Sequence, residues 1–407
     1  MNILMLSSTF PYPPNRGRKQ LRTFHLLKYL CDRHRVTLVT RPTEDIQDRE
    51  REVIRELVEE LIIFPAATSE GQVGLLNKAK RLGTFLQQGT PPKVLAAYSP
   101  TIAAWIDEAV SQRQFNVITC EDDIDEIYIR PQWREELGTV LNLHGSEYGK
   151  FKQQLERGDS DNEIKDQINL GLLRRYEQSY LAKFTAIVTI NQADKRLLKE
   201  LNPDSNVTVI PNGVNLSLFH RRITNQGGQR IVFVGNMDRP ANIDAVRFFA
   251  LEVFPAIRQR YPEATLELVG ARPSSQVQEL DSLPGIAVTG EVSSVVEYLH
   301  WATVAVMPMR KGSGLKNRTL ETLATGVPLV GSDLALAGLE VDGPNVPLRA
   351  MRANTVEEYV YAIGRLFAQP KLREKLSENG RSLVENEYTW SKIGQQYEKI
   401  LLDTCLN

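Results

Sequence analysis

The stretch MRKGSGLKNRTLETLATGVPLV, Met309–Val330, reads as a loop, a helix and a strand in succession. Its small-residue turn, Gly312–Gly314, carries no side chain large enough to block a ligand from the backbone. From Leu315 onward, apolar residues recur at spacings of three to five, which predicts a helix. Gly326 and Pro328 predict the end of that helix. This order of elements is typical of an α/β protein.

The same stretch predicts a site for an anion. A Gly-rich turn that opens a helix leaves backbone N–H groups unpaired and points the positive end of the helix dipole outward. Glu321 lies one turn inside the helix, where its carboxylate could accept hydrogen bonds from ribose hydroxyls. Positive charge flanks the turn on Arg310, Lys311, Lys316 and Arg318. An ordinary helix start with solvated basic residues explains the turn, taken alone, equally well.

Composition describes a soluble globular protein of two domains. The chain has 407 residues, 42% of them hydrophobic, and a net charge of -1. That charge provides no field for nucleic acid, so we expect no nucleic-acid partner. The three cysteines have neither metal spacing nor a disulfide pattern, and they favour a reducing cytoplasm. The apolar N-terminal residues read as a buried strand, and no run approaches the roughly 20 residues that span a bilayer.

Strands alternate with helices along most of the chain, which predicts doubly wound parallel sheets. The alternation stops at Pro211–Arg230, a turn-rich segment that we interpret as an interdomain linker, and resumes at Ile231. We therefore expect two domains, residues 1–215 and 222–387, with a ligand cleft at the carboxyl ends of their strands. The helix near Leu75–Gln88 is basic and partly apolar. We interpret it as a surface helix, with peripheral contact to the inner face of a membrane as the alternative.

The first domain offers three candidate sites. Gly17 lies between basic residues after the first strand and would let backbone approach a diphosphate, or it belongs to a proline-stiffened surface loop. His144 follows another strand and would hydrogen-bond a sugar or an acceptor, or it is a loop histidine satisfied by backbone. Asp123 and Asp125 form a DxD pattern that suits a divalent cation. Five acids in six residues are more typical of a solvated loop, and we favour that interpretation.

The second domain offers two further segments. Gly235 follows its first strand and permits close backbone approach, and Arg239 adds a cation nearby. Glu291 and Val292, in TGEV, would meet a flat base through their backbone, or they form an ordinary turn. The chain contains no GxGxxG, P-loop, HExxH or Ser–His–Asp order, which argues against nicotinamide enzymes, NTPases and common hydrolases.

Four segments, with their spacing, carry a family resemblance over nearly the whole chain: STFPYPPNRGRKQLRTFHLLKYL, VTVIPNGVNLSLF, IVFVGNMDRPANIDAVRFF and GSGLKNRTLETLATGVPLV. The chain resembles the GT-B glycosyltransferases of family 4, and within them the bacterial subset associated with exopolysaccharide biosynthesis. The resemblance implies two Rossmann-like domains, the second holding a nucleotide diphosphate sugar such as a UDP- or GDP-sugar. It also implies that the C-terminal helix, about residues 388–407, crosses back to the first domain.

The resemblance further implies retaining transfer of the sugar to an acceptor hydroxyl, on a saccharide or a lipid-linked acceptor, with neither a metal nor another cofactor. Glu321 would bind the ribose, Arg318 the phosphates, and the turn Gly312, Ser313, Gly314 and Leu315 the diphosphate or the sugar. Gly17 would approach from the first domain, where His144 matches the family histidine near the sugar.

Two departures from the family pattern accompany the match. Ser313 stands where many members have glutamate, and GNMDRP lacks the usual Arg and Lys, for which Arg239 would substitute. The serine keeps a second hypothesis open, that of a nucleotide-sugar-binding protein without transferase activity. A nucleotide-sugar epimerase is less favoured, because no acid–base pair for the sugar C2 is evident in the sequence.

Overall fold

The computed structural model describes residues 1–41, 46–65, 90–156, 163–312 and 314–405. The chain forms two compact units. Unit 1 comprises Met1–Pro211 and Ile393–Asn407, and unit 2 comprises Asn212–Lys392. The helix predicted near Leu75–Gln88 lies outside the described residues.

Unit 1 is built on a parallel sheet with the strand order β3-β2-β1-β4-β5-β6-β7. The strands are β1 (Asn2–Ser7), β2 (Arg35–Thr40), β3 (Glu60–Ile63), β4 (Val117–Cys120), β5 (Gly138–Leu143), β6 (Ala186–Thr189) and β7 (Val207–Val209). The central strands are buried along their whole length, as expected where helices cover both faces of a parallel sheet.

Helices connect these strands and supply the rest of the unit 1 core. They are α1 (Arg18–Cys31), α2 (Asp48–Leu57), α3 (Pro92–Ala97), α4 (Pro100–Ser111), α5 (Glu147–Glu156), α6 (Glu163–Leu181) and α7 (Gln192–Leu201). Helix α2 is shorter than the helix predicted near Glu44–Glu60, because Gln47 caps its start and Val58 after its last residue is extended. The short helix α3, which begins at a proline, was not predicted.

Unit 2 is built on a second parallel sheet with the order β10-β9-β8-β11-β12-β13. Its strands are β8 (Arg230–Val234), β9 (Thr265–Val269), β10 (Ile286–Gly290), β11 (Val304–Met307), β12 (Leu329–Gly331) and β13 (Met351–Arg352). Its helices are α8 (Pro240–Phe248), α9 (Phe254–Arg260), α10 (Ser275–Gln278), α11 (Val295–Trp301), α12 (Asn317–Thr325), α13 (Val356–Ala368) and α14 (Pro370–Glu387). The last helix, α15 (Trp390–Cys405), starts at the end of unit 2 and continues within unit 1.

The strand order reverses direction once in each sheet, between β1 and β4 in unit 1 and between β8 and β11 in unit 2. Loops that leave the carboxyl ends of such neighbouring strands flank a crevice, where doubly wound proteins bind ligands. The prediction of two Rossmann-like, doubly wound α/β units is confirmed. The stretch quoted first, Met309–Val330, begins two residues after β11. It therefore starts in the loop at the carboxyl end of a strand where the strand order reverses.

The interpretation of Pro211–Arg230 as an interdomain linker is wrong for residues 212–230. Residues 212–230 are part of unit 2, because their apolar and basic side chains pack into it. Val214 is buried and its N–H donates to the Tyr388 carbonyl at 2.7 Å. The Arg222 guanidinium is buried as well and donates to the Ala302 carbonyl at 3.0 Å. Turn residues made the segment look like a connection, whereas it packs through these isolated buried side chains.

Among the helices that the structure describes, none combines the length and apolar character needed to cross a bilayer.

Candidate functional site

The glycine turn of unit 2 has the backbone that its sequence requires. Gly312 has φ 98° and Gly314 has φ 69°, both in the left-handed region that favours glycine. Ser313, between them, lies outside the described residues. Helix α12 starts at Asn317, so the expectation that it begins at Leu315 is wrong by two residues. The reason is the extended backbone of Lys316, φ -96° and ψ 117°, which holds the residue before the helix out of helical conformation.

The start of α12 has backbone N–H groups without a backbone acceptor among the described residues. Within the described part of the chain, the N–H groups of Leu315, Asn317 and Arg318 donate to no backbone carbonyl. The first N–H that does so belongs to Thr319, which donates to the Lys316 carbonyl at 3.0 Å. The nine-residue helix then ends at Gly326 in left-handed conformation. These donors and the helix dipole together suit an anion at the carboxyl end of β11.

Arg318 and Glu321 form an ion pair beside these donors. Arg318 Nη1 lies 2.7 Å from Glu321 Oε2, and the two residues are one turn apart on α12. Their side chains are 30% and 17% exposed, so each remains partly accessible beside its partner. The structure therefore brings together two predicted site residues whose charges would contact different parts of a nucleotide.

Arg310 and Lys311 have a partner that sequence reasoning missed. Asp244, on α8, accepts bidentate hydrogen bonds from Arg310 Nε and Nη2 at 3.1 Å each, and Lys311 Nζ lies 3.1 Å away. Burial raises the pKa of the Asp244 carboxyl, but the two cations outweigh it and the net pKa lies below the ordinary value. The Arg310 guanidinium also stacks 4.5 Å from the centre of the Phe248 ring. Arg310 is thus held in place by α8 beside the turn.

The close backbone approach predicted at Gly235 is made to a neighbouring strand of the protein. It follows β8, and its N–H donates to Val269 on β9 at 3.0 Å. A side chain at Gly270 would bring its Cβ within 1.8 Å of the Gly235 carbonyl oxygen, so the two strands need glycine at this edge. A Cβ on Gly235 would likewise meet Asn242 Nδ2 at 2.8 Å.

The other predicted residues of unit 2 occupy more open positions. Arg239 precedes α8 with its side chain 67% exposed, and its Nε lies 3.9 Å from Asp238 Oδ1. Glu291 is exposed in the turn after β10, whereas Val292 is partly buried and packs against the unit 2 core. The side chain of Val292 therefore has a structural role.

In unit 1, Gly17 caps the N-terminus of α1. Its backbone is extended, φ -170°, and a Cβ there would meet Gln20 Oε1 at 2.5 Å. The adjacent Lys19 forms an ion pair with Asp122, from the loop after β4. This contact brings the α1 start and the β4 loop together at the carboxyl edge of the sheet, where the strand order reverses.

His144 lies directly after β5 with an unused acceptor. Its ring hydrogen-bonds the backbone of Glu121. Its Nε2 is buried and has no hydrogen-bond partner in the described chain, so Nδ1 makes the bond to Glu121. Burial, followed by the charge of Arg22, lowers the pKa of the imidazole to about 4. At neutral pH the ring is therefore uncharged and presents Nε2 as a hydrogen-bond acceptor.

The interpretation of the acidic run as a solvated loop is wrong. The acids Glu121, Asp122, Asp123, Asp125 and Glu126 are all buried. The run follows the central strand β4, and it is held there by specific donors. Ser8 N–H donates to Asp125 Oδ2 at 3.2 Å, and Lys183 Nζ lies 2.5 Å from Glu126 Oε2.

Asp122 and Asp123 have different pKa values because their carboxyl groups are adjacent and buried. Burial and the neighbouring Asp122 carboxylate raise the pKa of Asp123 to about 8. Burial acts the same way on Asp122, but hydrogen bonds from Asp123 and Lys19 outweigh it, and the pKa of Asp122 lies below its ordinary value. Within the described ranges, no group of three or more His, Cys, Asp or Glu side chains is arranged to hold a metal ion.

The depressed pKa of His144 predicts a specific pH dependence of stability. Between its folded pKa of about 4 and its ordinary value of 6.5, the unfolded chain binds a proton that the folded chain does not. Stability from neutral His144 is thus present above 6.5 and is lost as the pH falls. His144→Gln removes this pH dependence. When the pH falls from about 7.5 to about 5, the free energy of unfolding of wild type should therefore drop by about 2 kcal/mol more than that of the variant. Urea unfolding at both pH values measures it, and parallel losses in the two proteins would contradict it.

Two family models match the chain, one in each unit. Residues 21–218 match the model described as "Glycosyltransferase Family 4", and residues 228–369 match "Glycosyl transferases group 1". The second match contains the turn, Arg318 and Glu321. The first contains His144 and the buried acidic run.

Curated relatives match over part of their length. An MMP alpha-(1->4)-mannosyltransferase of Mycolicibacterium hassiacum is 27% identical over 205 residues, covering 47% of this chain and 48% of the relative. A D-inositol 3-phosphate glycosyltransferase of Frankia alni is 28% identical over 230 residues, covering 49% and 54%. The chain thus spans about half the length of the curated relatives it matches.

Solved structures match over the full length. Sucrose-phosphate synthase from Thermosynechococcus elongatus has a TM-score of 0.63 at 17% identity, with 99% of each chain covered. Anabaena HepE in complex with UDP-glucose has a TM-score of 0.59 at 13% identity, with 99% of this chain and 100% of that chain covered. At these identities the likeness establishes the fold alone, and it confirms the predicted GT-B fold.

Proposed function

The chain belongs to the GT-B glycosyltransferases, and from that premise we propose that it transfers a sugar from a nucleotide diphosphate sugar to an acceptor hydroxyl. We propose retention of the anomeric configuration and a role in polysaccharide or glycoconjugate biosynthesis. UDP is our first candidate for the nucleotide, because the similar Anabaena structure holds UDP-glucose. GDP-sugars are the second, and the acceptor is a saccharide or a lipid-linked sugar.

One observation carries the proposal. Within the described part of the chain, the N–H groups of Leu315, Asn317 and Arg318 donate to no backbone carbonyl, and the same helix start carries the Arg318–Glu321 ion pair after β11. Backbone donors and a guanidinium suit a diphosphate, whereas a carboxylate one turn further suits the two hydroxyls of a ribose. A nucleotide diphosphate offers a partner for each kind of group, its diphosphate for the donors and its ribose hydroxyls for the carboxylate.

The chemistry follows from where charge develops. The bond between the sugar C1 and the β-phosphate oxygen breaks, its electron pair passes to that oxygen, and the acceptor oxygen bonds to C1 on the same face. The acceptor proton goes to the departing phosphate, so no protein nucleophile is required. Fixed donors around the diphosphate stabilise the growing negative charge, and each such donor contributes about 3 kcal/mol to the transition state. Arg318 and the turn supply this stabilisation.

In unit 1, we propose that His144 accepts a hydrogen bond from a hydroxyl of the transferred sugar. Its Nε2 is buried without a hydrogen-bond partner among the described residues, and its ring is neutral, which suits an uncharged hydroxyl rather than a phosphate. We also propose that the reaction proceeds without a metal, since Arg318 and the backbone donors supply the charge compensation.

Donor binding and transfer can be tested separately. A thermal-shift screen of UDP- and GDP-sugars should raise the melting temperature with one donor at concentrations well above its Kd. That donor is then incubated with saccharide and lipid-linked acceptors in the presence of a chelator, and the anomeric proton of the product is followed by NMR. We expect product with the configuration of the donor. Donor binding without product from any acceptor would instead favour the nucleotide-sugar-binding hypothesis.

A further inference from the structure

A buried polar network underlies His144 in unit 1. Glu121 is its centre, and both carboxylate oxygens accept hydrogen bonds: Oε2 from Asn142 Nδ2 at 2.7 Å and Oε1 from the Tyr397 hydroxyl at 3.1 Å. Asn142 Oδ1 in turn accepts from Arg22 Nε at 2.9 Å. Arg22, Glu121, Asn142 and Tyr397 are each at most 1% exposed. Such a network holds its members in one arrangement, because any unmade bond leaves a buried polar group unpaired.

The network fixes the backbone to which His144 is bound. The Glu121 N–H donates to the Leu6 carbonyl on β1 at 2.9 Å, and the backbone of Glu121 pairs with the His144 ring. Asn142 lies on β5, two residues before His144, so the network also holds the strand that leads into the ring. Which ring nitrogen of a histidine carries the proton is set by the bond that the other nitrogen makes. The network therefore determines that Nε2 remains the free acceptor.

Tyr397 brings the C-terminal helix into this arrangement. It lies on α15, and its hydroxyl is the only donor from that helix among the bonds described for the Glu121 carboxylate. The adjacent Glu398 serves a different purpose: its Oε2 accepts from the Tyr29 hydroxyl at 3.1 Å and its Oε1 lies 2.8 Å from His34 Nε2. These bonds attach α15 to α1 without contacting Glu121.

We propose that Tyr397 is a positioning residue, which acts through Glu121 to hold the His144 ring with Nε2 presented to the substrate. The inference rests on the proposed function for its effect on transfer, but not for its effect on the ring. It assigns the C-terminal helix a part in the sugar site in addition to its part in packing.

Two tyrosine variants separate the roles. Tyr397→Phe and Tyr29→Phe each remove one hydroxyl that donates to a glutamate at 3.1 Å, and each loosens α15 by one bond. Nitrogen-15 NMR of histidine-labelled protein reports the protonation of each ring nitrogen, and His144→Gln assigns the signals among the five histidines. We expect separate protonated and unprotonated His144 signals in wild type and in Tyr29→Phe. In Tyr397→Phe we expect the two signals to move toward each other as the tautomers mix.

Kinetics provide the second measurement. Tyr397→Phe should lower kcat by up to about 100-fold with the donor KM unchanged, while Tyr29→Phe keeps the wild-type kcat. Identical His144 signals in the two variants would overturn the proposal, as would equal kinetic losses. If wild type transfers no sugar from any donor, the proposed function fails, while the NMR comparison still decides whether Tyr397 positions the ring.

Discussion

Arg318→Ala is expected to lower kcat by about 100-fold while the donor KM changes little, a loss of about 3 kcal/mol of transition-state stabilisation. The charge on the diphosphate grows as the bond to the sugar breaks, so a fixed guanidinium contributes more in the transition state than in the bound donor. Arg318 is suited to this role because Glu321, 2.7 Å from its Nη1, holds it at the start of α12. The Arg318 side chain therefore does not have to change its conformation during the reaction.

The experiment needs a control for loss of an arginine in unit 2. Arg258, on α9, donates to the carbonyls of Pro262 and Pro284, which precede β9 and β10 at the opposite edge of the sheet. Steady-state kinetics of Arg258→Ala should match wild type. Arg318→Lys keeps the charge but loses the planar fork, so we expect it to recover part of the rate. A raised donor KM at unchanged kcat in Arg318→Ala would mean that Arg318 only binds the ground state.

Local sequence signals predicted the fold and the backbone of the glycine turn well. The strands of both sheets are short apolar runs bounded by turn residues, and burial on both faces leaves them little choice of structure. The glycines at 312 and 314 predicted a turn, and both have positive φ. Signals of this kind depend on residues close together in the chain, which is why they can be recognised in a single sequence.

Long-range pairings could not be predicted in the same way. Asp244 is 66 residues from Arg310, and nothing in its neighbourhood indicates that it holds two cations. The acidic run appeared solvated because a carboxylate is normally exposed, yet Glu121 is buried by Asn142 and by Tyr397, 276 residues away. Burial of a charge depends on partners that only the fold supplies, so composition alone gives the wrong answer.

Glu321→Ala is expected to raise the donor Kd by about 100-fold, or about 3 kcal/mol. A carboxylate that accepts from two ribose hydroxyls makes charge-assisted hydrogen bonds, and these exist in the bound donor as well as in the transition state. The loss should therefore appear mainly in binding, and kcat at saturating donor should fall by less than it does in Arg318→Ala, because Arg318 keeps its charge but loses its ion-pair partner. Isothermal titration with the donor nucleotide diphosphate measures it directly.

Glu385→Ala is the matched control, since Glu385 also pairs with an arginine, Arg381 Nε, at 2.6 Å on α14. It should bind the nucleotide as wild type does. Because Glu321 also holds Arg318, the double variant Arg318→Ala, Glu321→Ala should lose less affinity than the two single losses added together. Full additivity would show that the ion pair plays no part in preparing the site. Wild-type affinity in Glu321→Ala would mean that the ribose lies away from α12, and the donor orientation proposed for unit 2 would be wrong.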